Sequence, residues 1–322
     1  MSNRLHSAVS RDPVLPEIAS SVEAAYRLLA DRFARAAIAS PELDARLLVC
    51  AASGLSHEQF VREPSRRLPR DEQVRLEEFA RRRLRREPVS RILGARSFWR
   101  ETFEIGACLD PRPETETLVE AALGLVREQD RMEDPLSILD LGTGSGCILL
   151  SLLGELDQAW GVGVDKSPAA LEVARANAAR LGLGERADFL CASWCDGISG
   201  QFDLVVANPP YIQMDQIEGL APEVAWFDPL AALDGGADGL DAYGAIVPNL
   251  ARVLRPGGWA LLEVGEGQFD SVVQLIAAAV FDRDGDGLHC FEDLAGIRRC
   301  VAVRRAPEAG HQKGVGKSKR SG

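Results

Sequence analysis

The chain has 322 residues, seven cysteines and a formal net charge of -11. At ~100–200 residues per domain, that length predicts two domains or one large one. Hydrophobic residues at 46% and charged residues at 26% are ordinary for a folded globular chain, and they exclude predominant disorder, collagen and a disulfide scaffold.

Residues 1–15 read as a loose tail, and Met1 to His6 lack the apolar stretch of a signal peptide. From Pro16 to Glu87 the pattern is helical. Val22, Ala25, Leu28 and Leu29 recur at helical spacing, and Leu43, Ala45, Leu47 and Leu48 do so less regularly. Ser40-Pro41 reads as a cap followed by a first-position proline. Ser56 with Gln59 three residues later reads as a capping box. Asp71 is expected to cap a further helix through Leu76, Phe79 and Leu84. Residues 16–87 are thus expected to form a small all-helical domain.

Pro88 is expected to stop the last helix. Residues 88–110 then read as a hairpin linker, with Phe98, Trp99, Phe103 and Ile105 in near-alternation.

From about residue 111 strands and helices alternate. The expected strands are Ser137–Leu141, Gly161–Asp165, Asp188–Cys191, Asp203–Ala207, Trp259–Val264 and Arg298–Val303. Ser167 is expected to cap the helix after the second. Strands separated by helices imply an α/β domain, a mostly parallel sheet covered on both faces, over 111–305. Residues 306–322, rich in Gly, Lys and Ser, read as a disordered tail.

The charge is uneven. Residues 61–100 hold 13 Arg, no Lys and 6 acids, so they carry +7 while the other 282 residues carry -18. The run Arg81 to Arg86 reads as a solvated helix end whose cations suit the dipole, or as a contact for an acidic partner. A nucleic-acid substrate is disfavoured by the acidic remainder. No apolar run is long enough for a transmembrane helix. The cysteines form no C-x-x-C pair, so reduced thiols in a cytoplasmic protein are expected.

Two motifs carry chemistry. Gly142-Thr143-Gly144-Ser145-Gly146 sits between a strand and a helix, where glycines let a ligand approach the backbone. Its G-x-G-x-G spacing is neither a dinucleotide fingerprint nor a P-loop. Asp165, 19 residues after Gly146, ends the next strand, where a carboxylate can accept ribose hydroxyls. Asp140 before the glycines suits a cationic amino group. Acidic groups here fit a positively charged nucleoside such as S-adenosyl-L-methionine better than a pyrophosphate.

Asn208-Pro209-Pro210-Tyr211 follows another strand. Its prolines stiffen the loop and expose the Asn208 amide, the Pro209 carbonyl and the Tyr211 ring. Those groups suit methylation of a planar amine or amide nitrogen: two oxygens accept its N–H groups, and Tyr211 stacks on the plane. Asp282-Arg283-Asp284-Gly285-Asp286-Gly287 with Asp293 approaches a calcium loop. It lacks the closing Glu and is read as a connecting turn.

With these residues in place, the chain resembles the peptide chain release factor glutamine methyltransferases, the PrmC/HemK family, from about residue 40 to 304. The likeness includes Glu87 to Gly94, Phe98-Trp99, Pro111-Arg112-Pro113-Glu114-Thr115-Glu116, both motifs above, Pro222-Glu223-Val224 and Gly235-Gly236 through Asp241. It implies a class I methyltransferase fold, Rossmann-like, with seven strands of which one is antiparallel. It implies S-adenosyl-L-methionine as donor and the glutamine of a Gly-Gly-Gln motif in class I release factors as acceptor. It assigns Gly142, Thr143, Gly144, Ser145, Gly146, Asp165, Trp194 and Asn208 to the cofactor, and Asn208, Pro209, Pro210 and Tyr211 to substrate and catalysis. Ser193 stands where the family usually has an acid, and Asp110 where an apolar residue is common. Two other functions compete: N-methylation of a ribosomal-protein glutamine or a nucleic-acid base, and a non-catalytic module that binds S-adenosylmethionine. No metal is expected.

Overall fold

A computed structural model gives the fold, and residues 21–277 and 287–307 are described. The expected N-terminal tail, the helix start at Pro16, Asp282 to Asp286, and all of the expected C-terminal tail but Ala306 and Pro307 lie outside them. The chain divides into two compact units, Met1–Leu93 and Gly94–Gly322.

The first unit is helical: α1 (Val22–Arg35), α2 (Pro41–Ser53), α3 (His57–Arg62), α4 (Arg70–Leu84) and α5 (Val89–Leu93). On α1, Val22, Ala25, Leu29 and Phe33 are buried at helical spacing, and Ser21 accepts from the Ala24 amide. Ser56 and Gln59 form the expected capping box on α3. Three local expectations change. Ser40 makes no side-chain cap, and Pro41 alone marks the start of α2. Asp71 lies inside the first turn of α4, which begins after Pro69. Leu43 and Leu47 are exposed; α2 instead buries Ala45, Leu48, Val49, Ala52 and the charged Asp44.

Asp44 is buried because Arg83 Nε donates to its Oδ2 at 2.7 Å. The other arginines of the run are also engaged. Arg82 bonds Glu87 and the carbonyls of Arg91 and Ile92, and Arg86 bonds the carbonyls of Ala36 and Ala37. Where a hairpin was expected to begin, residues 89–93 are helical instead. Pro88 starts this turn rather than only ending α4, its carbonyl accepting from the Ile92 amide at 3.0 Å.

The second unit begins with a hairpin, β1 (Ala95–Phe98) and β2 (Glu101–Glu104). Trp99 makes its turn at φ 56°, held by Glu116 on its amide and Glu155 on its indole. A 3-10 turn at Pro113–Thr115 leads into α6 (Glu116–Glu128). Then follow β3 (Ser137–Leu141), α7 (Cys147–Glu155), β4 (Trp160–Asp165), α8 (Pro168–Arg180), β5 (Ala187–Cys191) and β6 (Phe202–Ala207). After short helices α9 (Pro222–Ala225) and α10 (Leu230–Leu233) come α11 (Asp241–Val253), β7 (Leu254–Glu263), α12 (Phe269–Ala277), β8 (Leu288–Glu292) and β9 (Arg298–Arg304). Ser167 caps α8 as expected. The sequence pattern gave no sign of β8.

The seven strands run in the order β5-β4-β3-β6-β7-β9-β8, with β9 antiparallel to both neighbours. Alternate residues face opposite layers. Ile138, Leu204, Val206 and Leu261 pack with α6 and α7, while Leu139, Val205, Ala207 and Leu262 pack with α11 and α12. The chain reverses direction across the sheet between β3 and β6, the place where open α/β sheets bind ligands. At the opposite edge Asp203 ties β6 to β3 through the Ser137 amide and hydroxyl, and it takes Arg131 and Arg255. Among the described residues no helix is long and apolar enough to cross a membrane.

Removing one member of a buried ion pair strands the other charge. Asp44→Ala should therefore lower the stability of the helical unit by about 3 kcal/mol. Urea unfolding of the full chain followed by helical circular dichroism measures this, and an unchanged midpoint would show that the pair contributes nothing.

Candidate active site

Four loops leave the carboxyl ends of β3, β4, β5 and β6 at one edge. They border an open cleft of about 800 Å³ lined by Gly142, Gly144, Asp165, Ser193, Trp194 and Asn208.

The glycine loop is shaped by hydrogen bonds to β4. Gly142 and Thr143 amides both donate to the Val164 carbonyl, at 2.8 and 2.9 Å. Gly142 sits at φ 76°, and a Cβ there would stand 3.4 Å from the Trp194 ring, so a side chain would be strained and crowd the cleft. Asp165 Oδ2 accepts from the Gly144 amide at 3.0 Å and Oδ1 from the Ser167 amide at 2.8 Å. Each oxygen keeps a lone pair for a hydroxyl donor. Asp140 lies deeper. It is fully buried, Oδ2 accepts from Thr143 Oγ1 at 2.6 Å, and Oδ1 has no hydrogen-bond partner. Ser145 Oγ is likewise buried without one. Asp140 and Thr143 therefore stand behind the loop rather than on the cleft wall. Ser193 is exposed on the wall, and Asp110 is buried with Arg96 Nε at 3.7 Å.

A second cleft of about 760 Å³ adjoins the first, lined by Arg112, Glu114, Pro209, Tyr211, Val224 and Arg299 among others. Asn208 and Pro210 line both. Asn208 Nδ2 donates to Thr115 Oγ1 at 3.0 Å, which turns its oxygen away from Thr115. Among the described residues, no group donates to the Pro209 carbonyl. Tyr211 donates its hydroxyl to Glu263 Oε1 at 3.3 Å, and its own carbonyl accepts from Gln268 Nε2 at 2.9 Å. Behind the loop, a Cβ on Gly235 would meet the Pro210 carbonyl and Tyr211 Cα at 2.9 Å, so this glycine is required by close approach. Arg112 pairs with the buried Asp228, and Arg299 with Asp293. Asp293 also accepts from the Ala295 and Ile297 amides, so it organises a turn.

The family model of the PrmC N-terminal domain matches residues 24–94, and that of the methyltransferase small domain matches 125–223. A release factor glutamine methyltransferase of Bradyrhizobium diazoefficiens is 46% identical over 91% of this chain and 97% of its own length. One from Caulobacter vibrioides is 44% identical, covering 79% and 88%. The chain belongs to the release factor glutamine methyltransferase family. Its fold is shared more widely: the hMettl16 catalytic domain, solved in complex with MAT2A 3'UTR hairpin 6, aligns with TM-score 0.50 and 12% identity over 64% of this chain and 76% of that one.

Membership makes the chain a methyltransferase and focuses attention on residues the motifs did not supply. Thr115 was visible only as one letter of the Pro-Arg-Pro-Glu-Thr-Glu segment. Glu263 was visible only as an acid ending an apolar strand, which is itself the signal, because a carboxylate inside a buried strand needs partners. Arg112 was likewise one letter of that segment, and Asp228, whose partner Arg112 is 116 residues away, had no local signal.

Burial pushes the Asp140 carboxyl up to about 7, against the Thr143 hydroxyl that favours its ionised form. Unfolded, the group would titrate near 4. The folded state thus holds a proton that the unfolded chain has released. The associated stability is full below the unfolded value and is lost as pH rises through about 7. Asp140→Asn should flatten the decline in Tm of the ligand-free protein across that window. A decline of unchanged slope would mean that Asp140 ionises normally.

Proposed function

We propose that the protein transfers a methyl group from S-adenosyl-L-methionine to the side-chain amide nitrogen of the glutamine in the Gly-Gly-Gln motif of class I peptide chain release factors. The meeting of two clefts at Asn208 carries this reading. One cleft fits the donor, the other admits a side chain, and a single stiff loop borders both.

The first cleft fits the cofactor by its chemistry. Asp165 offers carboxylate lone pairs to ribose hydroxyls, Trp194 offers an aromatic face to adenine, and the glycine backbone allows close approach. No lysine lines it beyond Lys166, so a pyrophosphate would find little cationic complement. Bound there, S-adenosylmethionine supplies an electrophilic methyl on a cationic sulfur.

The protein's own residues then present the nucleophile. An amide nitrogen is a poor one because its lone pair is delocalised into the carbonyl. Asn208 Oδ1 and the Pro209 carbonyl can each accept one of its two N–H groups. Held by both, the nitrogen is aimed and its lone pair is freed to localise. Orientation of this kind supplies much of a transfer barrier, and no strong base is needed until the proton leaves the methylated nitrogen. The Tyr211 ring borders the second cleft, where it can stack on the amide plane. The -18 carried outside residues 61–100 supports a protein substrate over a polyanion.

Labelled methyl should pass to a purified release factor and be lost when the Gly-Gly-Gln glutamine is replaced. Transfer to a ribosomal protein instead would redirect the assignment, and tight cofactor binding with no transfer would make the protein a binding module. Asn208→Ala should reduce kcat by roughly 100-fold or more while cofactor affinity changes far less. Turnover near the native rate would remove Asn208 from the mechanism. Asp165→Ala should weaken S-adenosylhomocysteine binding at least about tenfold by calorimetry, the loss of a charged hydrogen-bond acceptor; an unchanged Kd would rule out the ribose role.

A further inference from the structure

We propose that Asn177 is a positioning residue for the methyl donor: from one face of α8 it holds the glycine loop and the end of β2, and so fixes the spacing of two walls of the first cleft. The inference rests on the donor reading given above and extends it to a residue outside both motifs.

Asn177 stands inside α8 with its side chain fully buried. An asparagine there is a poorer helix former than alanine, and its buried amide needs partners that an apolar residue would not. Its three short bonds all go to main-chain groups. Oδ1 accepts from the Glu104 amide at 2.9 Å. Nδ2 donates to the Glu104 carbonyl at 2.8 Å and to the Ser145 carbonyl at 2.9 Å. Arg180 Nη2 adds a longer bond to Oδ1, at 3.4 Å. Both amide protons are thereby used, and two carbonyls with one N–H admit a single orientation of the group. Glu104 receives from one side chain the donor and the acceptor that a neighbouring strand would give it. An ionised aspartate could not serve, since it has no proton for either carbonyl.

The Ser145 carbonyl lies in the second half of the glycine loop. The first half is tied to β4, Gly142 and Thr143 through Val164 and Gly144 through Asp165. The peptide between Ser145 and Gly146 gives its carbonyl to Asn177 and its N–H to the Thr143 carbonyl at 2.8 Å, so its plane is held at both ends. Gly146, at φ 81°, lies close on the same helix: a Cβ there would stand 3.3 Å from Ala174 Cβ.

The other wall leaves the hairpin at Glu104. Two residues on, Gly106 passes α8 so closely that a Cβ would stand 2.6 Å from Val173 Cγ2. Ala107, Cys108 and Leu109 then line the first cleft together with Gly142 and Gly144. Val173, Ala174 and Asn177 share one face of the helix, at i, i+1 and i+4. That face therefore carries both walls. The helix itself starts beside Asp165, which accepts from the amide of its cap, Ser167. Of the residues on this face, Asn177 alone is hydrogen-bonded to both the loop and the strand that leads into the Ala107–Leu109 segment. It lines neither cleft, so its loss acts through the walls it holds.

The test uses the full-length protein with S-adenosylhomocysteine as probe. Asn177→Ala removes every bond of the side chain. Asn177→Asp keeps the shape and an acceptor for the Glu104 amide but loses both donors. Each should weaken S-adenosylhomocysteine binding about tenfold by calorimetry, as loss of an ordering hydrogen bond does. With a purified release factor, the KM for S-adenosylmethionine should rise in proportion. The kcat and the KM for the release factor should stay within about twofold, because the loss falls on donor binding. In the ligand-free protein, hydrogen exchange of the Gly146 amide should quicken more than that of the β9 amides, which report global opening. A lowered Tm with unchanged Kd and uniform exchange would mark a merely structural role and overturn the proposal. So would a fall in kcat with the donor KM unchanged. If neither variant folds, the native protein decides. Coupled equilibria are reciprocal, so S-adenosylhomocysteine should slow exchange of the Asn177 side-chain amide protons, and no slowing would refute the proposal. A native protein that binds no S-adenosylhomocysteine would refute the donor reading and this inference together. Failure of methyl transfer to a release factor would refute the acceptor alone and leave the calorimetry to judge Asn177.

Discussion

The hydrogen bond from Asn208 Nδ2 to Thr115 Oγ1 joins the two segments on which the site depends. One is the loop after β6; the other is the turn that precedes α6. The prolines of the loop stiffen its backbone but contribute no amide donors. The turn is a short 3-10 segment with little internal bonding. The sheet supplies the missing constraint. Parallel pairing of β3, β6 and β7 fixes where β6 ends, and α6 packs on the same layer as Leu204 and Leu261. The register of an apolar sheet thereby sets the position of a polar atom at its edge.

The Pro-Arg-Pro-Glu-Thr-Glu segment gains a physical explanation from this arrangement. Arg112 pairs with the buried Asp228, Thr115 meets Asn208, and Glu116 accepts from the Trp99 amide. Glu114 borders the second cleft. Successive residues serve separate places: the wall of the second cleft, the loop after β6 and the β1–β2 hairpin. A motif of this kind looks like a loop signature in sequence. In the structure it is a junction, and its alternation of prolines with charged residues follows from the sharp turns and distant partners it must serve.

The fold was largely legible in the sequence because the central parallel strands β3, β6 and the second half of β7, buried on both faces, read as mainly apolar runs ended by a glycine, an acid or Asn-Pro. Ser137–Leu141 matches β3 residue for residue, and Asn208 stands directly after β6. The strand β8 was not legible, since Leu288–Glu292 is a short edge strand in which no residue is buried. Leu43 and Leu47 misled for a related reason: side-chain hydrophobicity did not reveal that Arg83, far along the chain, would draw Asp44 inside. Residues 89–93 misled because Pro88 can end one helix and begin another. At the candidate site, the glycine loop and the Asn208–Tyr211 loop were legible as loops because each is a contiguous motif. Thr115 was not distinguishable as the partner of Asn208, nor Glu263 as that of Tyr211, because nothing in a sequence specifies that β6 will lie between β3 and β7.

Two buried carboxylates, Asp140 and Glu263, stand behind the two motif loops, and the similarity of their settings is informative. Each lies at the carboxyl end of a central strand, each accepts from a hydroxyl, Thr143 for Asp140 and Tyr211 for Glu263, and burial raises each to about 7. Core packing alone would not place a carboxylate in either position, since an apolar residue of similar size would avoid the desolvation cost. What a carboxylate provides there is direction. Once ionised, above about pH 7, it accepts and cannot donate, so it fixes the direction of the hydroxyl that meets it. Asp140 does this for Thr143, inside the loop that shapes the first cleft, and Glu263 for Tyr211, in the loop that borders both clefts. The site thus takes its shape from apolar register and its polarity from two buried acids. A loop rigid in backbone but free in proton position would have the right outline and the wrong sign of hydrogen bond.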